Sequence, residues 1–356
     1  MKKSFNRQIR VLIADDSSVG RRLLSGILSD DPNIEVVATA TDGKEAVELT
    51  LKHKPDVVSM DINMPVMDGI EATRRIMSIC PVPVIIVSSI YRDADVLTAI
   101  KELEAGAVMV LPKPHGPGHE TFQSSANKYI NSVKLMAEVK VVRRTNGKIQ
   151  HQELPKLKTK TEETCRVNGS AKIVAIGSSA GGPEALKVIL SILSPRFPLP
   201  ILLVQHIDSN FIEGFTSWIN SFSNLEAVIA RDGERPKSGK IYIPPPESHM
   251  EIERGLIKII NGDEIDSLHR PSVDVLFTSV AKFYGEDSVG IILSGMGKDG
   301  ATGLKMMKDT GAYTFIQDSA TSLIYGMPGE AYNLGAACVI MTPEGIANKL
   351  NQIFQK

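Results

Sequence analysis

Three polar residues in the second half of the sequence have types suited to hydrolysis, and each follows an apolar run. The first, Ser179, lies in residues 177–182, which match G-x-S-x-G, a sharp strand-to-helix turn that exposes a serine oxygen near a helix N-terminus. A glycine-rich turn of this shape is equally typical of a phosphate-binding loop. The partners of the serine must therefore decide between a nucleophile and an anion site.

A nucleophilic serine needs a general base, and one of the seven histidines is well placed to act as one. His206 follows the apolar run of residues 201–204, so we expect it at the same edge of a parallel sheet as Ser179. His249 and His269 are weaker candidates because each lies in polar, turn-rich sequence. A lone histidine after a strand is more often structural, so this assignment depends on the exposed serine opposite it.

Asp299 completes the candidate triad. It follows the apolar run of residues 289–293, and we expect it to orient His206 and to stabilise its imidazolium. The chain order Ser, His, Asp differs from the Ser, Asp, His order of α/β-hydrolases. The G-x-S-x-G match therefore does not imply that fold.

The segment around Asp299 also has a competing interpretation as a cofactor site. Residues 295–300 match G-x-G-x-x-G between a predicted strand and a predicted helix, and Asp318 has the spacing of a ribose-binding acid. Against this, too little chain follows Asp318 to complete a dinucleotide-binding domain, which begins with this fingerprint. A Walker loop is excluded because the first glycine is missing and Asp299 replaces Ser or Thr.

A second cluster of polar residues follows the apolar runs of the first hundred residues. Asp15, Asp16 and Asp61 come directly after predicted parallel strands, whose carboxyl ends meet at one edge of a sheet. Three close carboxylates repel one another unless a cation intervenes, and hard oxygen ligands suit Mg²⁺. Ser88 and Lys113 follow two further strands and face the same edge. Taken singly, each aspartate is also explained as a helix N-cap or turn residue.

The elements that position these residues form two α/β domains. Between residues 9 and 111, and again from Lys172 onward, short β-branched runs alternate with helical-period segments, which predicts parallel sheets with crossover helices. A further helix is predicted over residues 120–142, and the polar, lysine-rich residues 143–170 indicate a linker. Short strands at residues 240–243 and 256–260, punctuated by Gly and Pro, predict a small antiparallel excursion. We expect one domain over residues 1–125, a helix end and flexible linker over 126–170, and a second domain over 171–356.

Composition limits the possible partners and location. Hydrophobic residues make up 42% of the chain and charged residues 23%, as in globular proteins, and a net charge of -1 gives no reason to expect nucleic acid or an anionic membrane as a partner. No apolar run is long enough to span a membrane, and the N-terminus lacks the features of a signal peptide. Three widely separated cysteines in no paired spacing suit a reducing cytoplasm.

The first domain resembles the receiver domains of two-component response regulators, which have a flavodoxin-like fold. The matching segments are Asp15-Asp16, Asp61-Ile62-Asn63-Met64-Pro65, Asp68-Gly69, Val87-Ser88 and Lys113-Pro114. The resemblance implies that Asp61 accepts a phosphoryl group from a histidine kinase, that Asp15, Asp16 and Asp61 hold Mg²⁺, and that Ser88 and Lys113 sense the phosphate. Asn63 departs from the glutamate common in related receivers, and we expect metal affinity or phosphoryl lifetime to differ.

The second domain, a doubly wound α/β domain, resembles the catalytic domain of the chemotaxis protein-glutamate methylesterase family. The matching segments are residues 177–182, Gln205-His206, residues 269–274, residues 294–300 and Tyr325-Gly326-Met327-Pro328. The resemblance implies hydrolysis of glutamyl methyl esters on chemoreceptor helices, and often deamidation of receptor glutamines, with Ser179, His206 and Asp299 catalytic. Backbone N–H groups around Met296 would stabilise the oxyanion. Family members usually have threonine where this chain has Ala180, so we expect one polar contact near the nucleophile to be missing.

The sequence therefore predicts a phosphorylation-regulated serine hydrolase that needs Mg²⁺ in the receiver and no cofactor in the hydrolase. The expected partners are a histidine kinase and methylated chemoreceptors, with no nucleic acid and no membrane insertion. The principal alternative is a response regulator whose second domain binds receptors or another protein without hydrolysis. A dinucleotide-dependent enzyme is the third possibility.

Overall fold

The computed structural model describes residues 7–88, 109–139, 144–145, 148–149, 171–261, 264–265, 267 and 269–354. The chain divides into two compact units, Met1–Gln150 and His151–Lys356. Each unit contains a parallel sheet. The predicted linker lies outside the described residues, apart from a short antiparallel pair formed by β6 (Arg144–Thr145) and β7 (Lys148–Ile149).

The first unit contains a five-stranded parallel sheet in the order β2-β1-β3-β4-β5. Its strands are β1 (Ile9–Ala14), β2 (Ile34–Ala40), β3 (Val57–Met60), β4 (Val84–Ser88) and β5 (Met109–Pro112). This order is that of flavodoxin-like folds, as predicted. The fifth strand is predicted over residues 107–111, and the first two of these residues lie outside the described part of the chain.

Four helices of the first unit lie within the described residues: α1 (Ser18–Ser29), α2 (Gly43–His53), α3 (Gly69–Ile79) and α4 (Phe122–Ala137). α1 contacts α4, and α2 contacts α3. α4 ends five residues before the predicted position, because the N–H of Glu138 already bonds back to the carbonyls of Leu135 and Met136. Aspartate side chains start α2 and α3, since Asp42 and Asp68 each accept a hydrogen bond from the backbone three residues on.

The second unit contains a seven-stranded parallel sheet in the order β10-β11-β9-β8-β14-β15-β16. Its strands are β8 (Ile173–Ser178), β9 (Ile201–Gln205), β10 (Glu226–Ile229), β11 (Lys240–Ile243), β14 (Ser288–Ile292), β15 (Tyr313–Gln317) and β16 (Val339–Met341). β8 lies at the centre of this sheet. The chain adds β9, β11 and β10 on one side of it and then β14, β15 and β16 on the other. In such sheets the ligand crevice lies at this reversal, beyond the carboxyl ends of the strands.

The helices of the second unit are α5 (Gly182–Ile192), α6 (Ile212–Asn220), α7 (Val273–Tyr284), α8 (Ala301–Asp309), α9 (Met327–Asn333) and α10 (Pro343–Phe354). α7 packs against α8 and β8, and α5 packs against α10. β8, β9, β14 and β15 are buried along their whole length. Burial on both faces explains why these strands read as continuous apolar runs rather than as alternating patterns.

The predicted antiparallel excursion is confirmed for one of its two strands and wrong for the other. β12 (Ser248–Glu253) and β13 (Leu256–Asn261) form an antiparallel hairpin. β11, which we expected in the excursion, instead lies parallel to β10 and β9 in the main sheet. The prediction failed because the short connection between β10 and β11 makes a parallel crossover without a helix.

None of the helices in the described parts of the chain is long and apolar enough to cross a membrane.

Candidate active site

Ser179 lies at the carboxyl end of β8, in the turn that leads into α5. Its N–H donates to the carbonyl of Ser294 at 3.0 Å, and its own carbonyl accepts from the N–H of Gly182 at 2.8 Å. Gly181 adopts φ 77° in this turn, and a Cβ there would lie 2.6 Å from Ser294 Oγ. Only glycine fits both the backbone conformation and the space, so the turn keeps the half-buried serine at the crevice.

His206 follows β9 and meets Asp299, which follows β14. His206 Nε2 lies 2.8 Å from Asp299 Oδ2, with the two side chains only 12% and 7% exposed. The structure therefore brings together two of the three predicted triad residues, whose strands lie on either side of β8. Because Asp299 engages Nε2, Nδ1 is the ring nitrogen of His206 that does not contact Asp299.

Asp299 is held at the N-terminus of α7 by three further hydrogen bonds. Its carboxylate accepts from Ser272 Oγ at 2.8 Å, from the Val273 N–H at 2.7 Å and from the Asp274 N–H at 3.0 Å. Burial alone would raise the pKa of Asp299, but the contact with His206 and these backbone donors hold it well below its usual range. The carboxylate is therefore anionic and fixed in orientation.

Two further histidines lie close to this pair. The His269 ring stacks on His206, with centroids 4.3 Å apart and planes 14° from parallel. Desolvation of the His269 ring lowers the pKa of His269, and the nearby charge of His206 lowers it further. The residue taken as a whole is nevertheless exposed. His249 is fully buried, and its Nδ1 accepts from the N–H of Ser272 at 3.2 Å. Neither contact was predicted, because each depends on how residues that are distant in the sequence come together.

The loop that follows β14 passes directly beside the serine. A Cβ on Gly295 would lie 2.9 Å from Ser179 Cβ and 2.2 Å from Met327 Sδ, so only glycine allows this approach. The Gly295 carbonyl accepts from the Met327 N–H at 2.8 Å, which fixes the loop. The N–H of Met296 donates to no other residue in the described part of the chain, and this is the group expected to face an oxyanion.

The position of Ala180 is also fixed by this loop. Ala180 is buried, and its carbonyl accepts a hydrogen bond from Ser294 Oγ at 2.8 Å. Ser294 Oγ also accepts from the N–H of Ile324 at 3.0 Å, which links three loops at the carboxyl edge of the sheet. The turn therefore remains ordered without the hydroxyl that threonine would supply.

The acidic cluster of the first unit forms as predicted in position. The carboxylate oxygens of Asp15, Asp16 and Asp61 include atoms that lie within 4.8 Å of one another. Lys113 Nζ lies 2.8 Å from Oδ2 of both Asp15 and Asp61. Burial raises the pKa of Asp61, although Lys113 opposes this rise. Burial alone would lower the pKa of Lys113, but contacts with Asp15 and Asp61 raise it.

The donor set fits a hard divalent cation. The Asp15 carboxylate is fully buried, and the Lys113 ammonium, 2.8 Å from its Oδ2, is its counter-charge. Ser88 is buried at the end of β4. Its carbonyl accepts a hydrogen bond from the N–H of Lys113 at 2.9 Å, so Ser88 and Lys113 lie at the ends of the neighbouring strands β4 and β5. Asn63 is exposed two residues beyond Asp61.

The chain matches known proteins over both units. The family profile described as "CheB methylesterase" matches residues 174–350, and the one described as "Response regulator receiver domain" matches residues 11–120. A protein-glutamate methylesterase/protein-glutamine glutaminase of Nitrosospira multiformis is 45% identical over 97% of this chain and 97% of its own length. A protein of the same name from Geobacter metallireducens is 44% identical over 97% of this chain and 99% of its own.

A solved structure also resembles part of the chain. The CheB methylesterase catalytic domain of Thermotoga maritima is 33% identical, with 51% of this chain and 98% of that one covered and a TM-score of 0.49. The identity to full-length relatives, together with the two profile matches in the same order, shows that this chain belongs to the protein-glutamate methylesterase/protein-glutamine glutaminase family and carries a receiver domain ahead of a methylesterase domain.

Proposed function

We propose that the protein is a phosphorylation-regulated serine hydrolase that cleaves glutamyl methyl esters on chemoreceptor helices and deamidates receptor glutamines. The observation that carries this proposal is the 2.8 Å contact between His206 and Asp299 at the sheet edge where Ser179 turns into α5. The names of the full-length relatives supply the substrate class.

The first half of the reaction forms an acyl-enzyme. Ser179 Oγ attacks the ester carbonyl carbon while His206 Nδ1 takes the hydroxyl proton, and Asp299 stabilises the imidazolium that results. The negative charge that develops on the carbonyl oxygen is stabilised by the Met296 N–H. His206 then returns the proton to the leaving methoxide, and methanol departs.

The second half releases the receptor glutamate. Water attacks the acyl carbon as His206 Nδ1 accepts its proton, and the same nitrogen returns a proton to Ser179 Oγ as the acyl bond breaks. With a glutamine substrate the sequence of bonds is the same, except that ammonia leaves in the first half. Both activities therefore require the same three residues.

The receiver is proposed to regulate this hydrolase. Asp61 accepts a phosphoryl group from a histidine kinase. Asp15, Asp16 and Asp61 would hold Mg²⁺, which would neutralise charge on the phosphoryl oxygens. Lys113 supplies a second positive charge, and Ser88 contacts the new phosphate oxygens. We infer that the protein acts in the cytoplasm, without nucleic acid as a partner and without membrane insertion. The non-catalytic alternative is not favoured because all three hydrolase residues are present.

Methanol release from methylated receptor membranes tests the hydrolase. We expect Ser179→Ala to lose release completely, while Ser191→Ala, which changes an exposed serine on α5, keeps the wild-type rate. Full release by a folded Ser179→Ala protein would contradict the mechanism. No release by the folded wild type on several receptor preparations would favour the non-catalytic binding module.

A further inference from the structure

Gln205 is a buried side chain whose amide joins the turn of the nucleophile to the turn of the base. The residue ends β9 and is 3% exposed. Its Nε2 donates to the Ser179 carbonyl at 2.9 Å and to the His206 carbonyl at 3.0 Å. Its Oε1 accepts from Ser178 Oγ at 2.7 Å. One amide group therefore contacts the backbone of two of the three triad residues.

The Gln205 amide forms its hydrogen bonds just beyond the last residue pair of the sheet. The β8–β9 ladder finishes at the pair Ser178 and Gln205, and the His206 N–H still donates to the Ser178 carbonyl at 2.9 Å. Beyond that bond the two segments diverge. The segment after β8 enters α5, and the segment after β9 enters the loop before α6. The two hydrogen bonds of the Gln205 amide then hold the carbonyls of Ser179 and His206 at a fixed separation.

The orientation of the amide is determined by its neighbours. A carbonyl can only accept a hydrogen bond, so the NH₂ end must face Ser179 and His206, and the hydroxyl of Ser178 can donate to the oxygen end. A flipped amide would place its oxygen against two carbonyl oxygens. Gly182 makes room for this arrangement, because a Cβ there would lie 2.5 Å from Gln205 Oε1.

We propose that Gln205 is a positioning residue that sets the distance between Ser179 and His206, with Ser178 fixing the direction of its amide. The inference rests on the proposed hydrolase function and adds a residue that does not touch the substrate. Displacement of a reacting group by about 1 Å costs on the order of 100-fold in rate. Loss of the amide should therefore lower kcat rather than weaken substrate binding.

The test compares Gln205→Met, Ser178→Ala and the double variant with the wild type in the full-length protein. Methionine has a similar length and volume but cannot form the three hydrogen bonds. Thr314→Val serves as the matched control, because Thr314 is a fully buried residue of β15 whose hydroxyl bonds to Ala336 and Cys338, away from the triad. For each protein, kcat and KM for methanol release, the rate of Ser179 acylation by p-nitrophenyl acetate, and the melting temperature are measured.

We expect Gln205→Met to lower kcat and the acylation rate by roughly 10- to 100-fold with KM changed by less than about threefold. Ser178→Ala should lower kcat by a few-fold. The double variant should have the same kcat as Gln205→Met, because both substitutions disrupt the same set of hydrogen bonds. Thr314→Val should lose stability without losing kcat.

Several outcomes would overturn the inference. A folded Gln205→Met protein with kcat within about twofold of the wild type would do so, as would a loss of rate that only matches its unfolded fraction. If Gln205→Met fails to fold, Ser178→Ala decides, since wild-type kcat and acylation in that variant contradict the proposal. A wild type that neither releases methanol nor becomes acylated would instead refute the hydrolase function itself.

Discussion

At the scale of single residues, the candidate site depends on one buried carboxylate. Asp299 accepts hydrogen bonds from the ring of its histidine, a serine hydroxyl and two backbone N–H groups. Desolvation of a lone carboxylate would favour the neutral acid, but here the surrounding donors favour the anion. The carboxylate can therefore orient His206 without becoming protonated during the reaction.

Asp299→Asn should lower kcat for methanol release by roughly 10²- to 10⁴-fold, because an amide cannot stabilise the imidazolium and its NH₂ opposes the N–H donors of α7. Asp309→Asn, at the exposed end of α8, is the matched control and should keep the wild-type kcat. Equal rates for the two variants would exclude Asp299 from the reaction.

Asp299 should also make stability depend on pH in the acidic range. Since its folded pKa is lowered, its contribution is fully present above the ordinary carboxyl pKa, near pH 4, and is lost as the pH falls toward the folded value. Denaturant unfolding should show a larger difference between wild type and Asp299→Asn at pH 7 than at pH 3. An identical difference at both pH values would contradict the assigned role of the anion.

His269 provides a prediction about charge beside the base. His269→Lys places a permanent positive charge against the ring that must become cationic, so kcat should fall at least about tenfold. His269→Phe keeps a flat ring without charge and should remain within about threefold of the wild type. Steady-state kcat for the two folded variants is the measurement, and comparable rates would show that His269 charge is irrelevant.

Ser179 and His206 could be placed at one edge of the sheet from the sequence because each directly follows a strand, and Asp299 lies in the loop that follows β14. Ser272 and Gln205 were not predicted to contact this site, because hydrogen-bond partners depend on how distant segments fold together. Ser272 carries one local signal, as a serine before an apolar helical segment, which indicates the N-cap of α7. Its bond to Asp299 has no counterpart in the sequence pattern.

At the scale of secondary structure, glycine-rich loops follow the strands β8 and β14 and carry Ser179 and Asp299. The apolar runs at residues 201–204 and 289–293 predicted the bounds of β9 and β14 to within one residue. The direction of β11 was predicted wrongly, because strand periodicity does not identify the neighbouring strand. The close approach of Gly295 to the turn of Ser179 could likewise not be predicted from the sequence, since a glycine in a loop is compatible with many conformations.

Gly295→Ala should therefore impair the reaction through packing. The added methyl group would collide with Met327 and Ser179, so the Met296 N–H should move and kcat should fall about tenfold or more. Gly26→Ala is the control, because Gly26 is exposed on α1 with nothing within 4 Å of an added Cβ, and alanine favours helix there. Methanol release and thermal unfolding are measured for both. Wild-type kcat in Gly295→Ala would contradict the proposed oxyanion contact.

At the scale of the whole molecule, a receiver domain and a hydrolase domain lie in one chain. The receiver residues Asp15, Asp61 and Lys113 form a compact charged cluster, and the hydrolase residues form a separate site in the second unit. Their presence in one chain predicts that phosphorylation controls hydrolysis. The linker falls mostly outside the described residues, so regulation by phosphorylation is tested by measuring the reaction itself.

The most direct measurement is methanol release from methylated receptor membranes before and after addition of acetyl phosphate and Mg²⁺. We predict that the donor stimulates the wild type, that Asp61→Asn shows no stimulation above its own basal rate, and that Ser179→Ala releases nothing in either condition. Asp30→Asn, an exposed aspartate of the receiver, serves as the control and should respond like the wild type. Equal stimulation of Asp61→Asn, or donor-dependent release by Ser179→Ala, would contradict a serine hydrolase controlled by phosphorylation at Asp61.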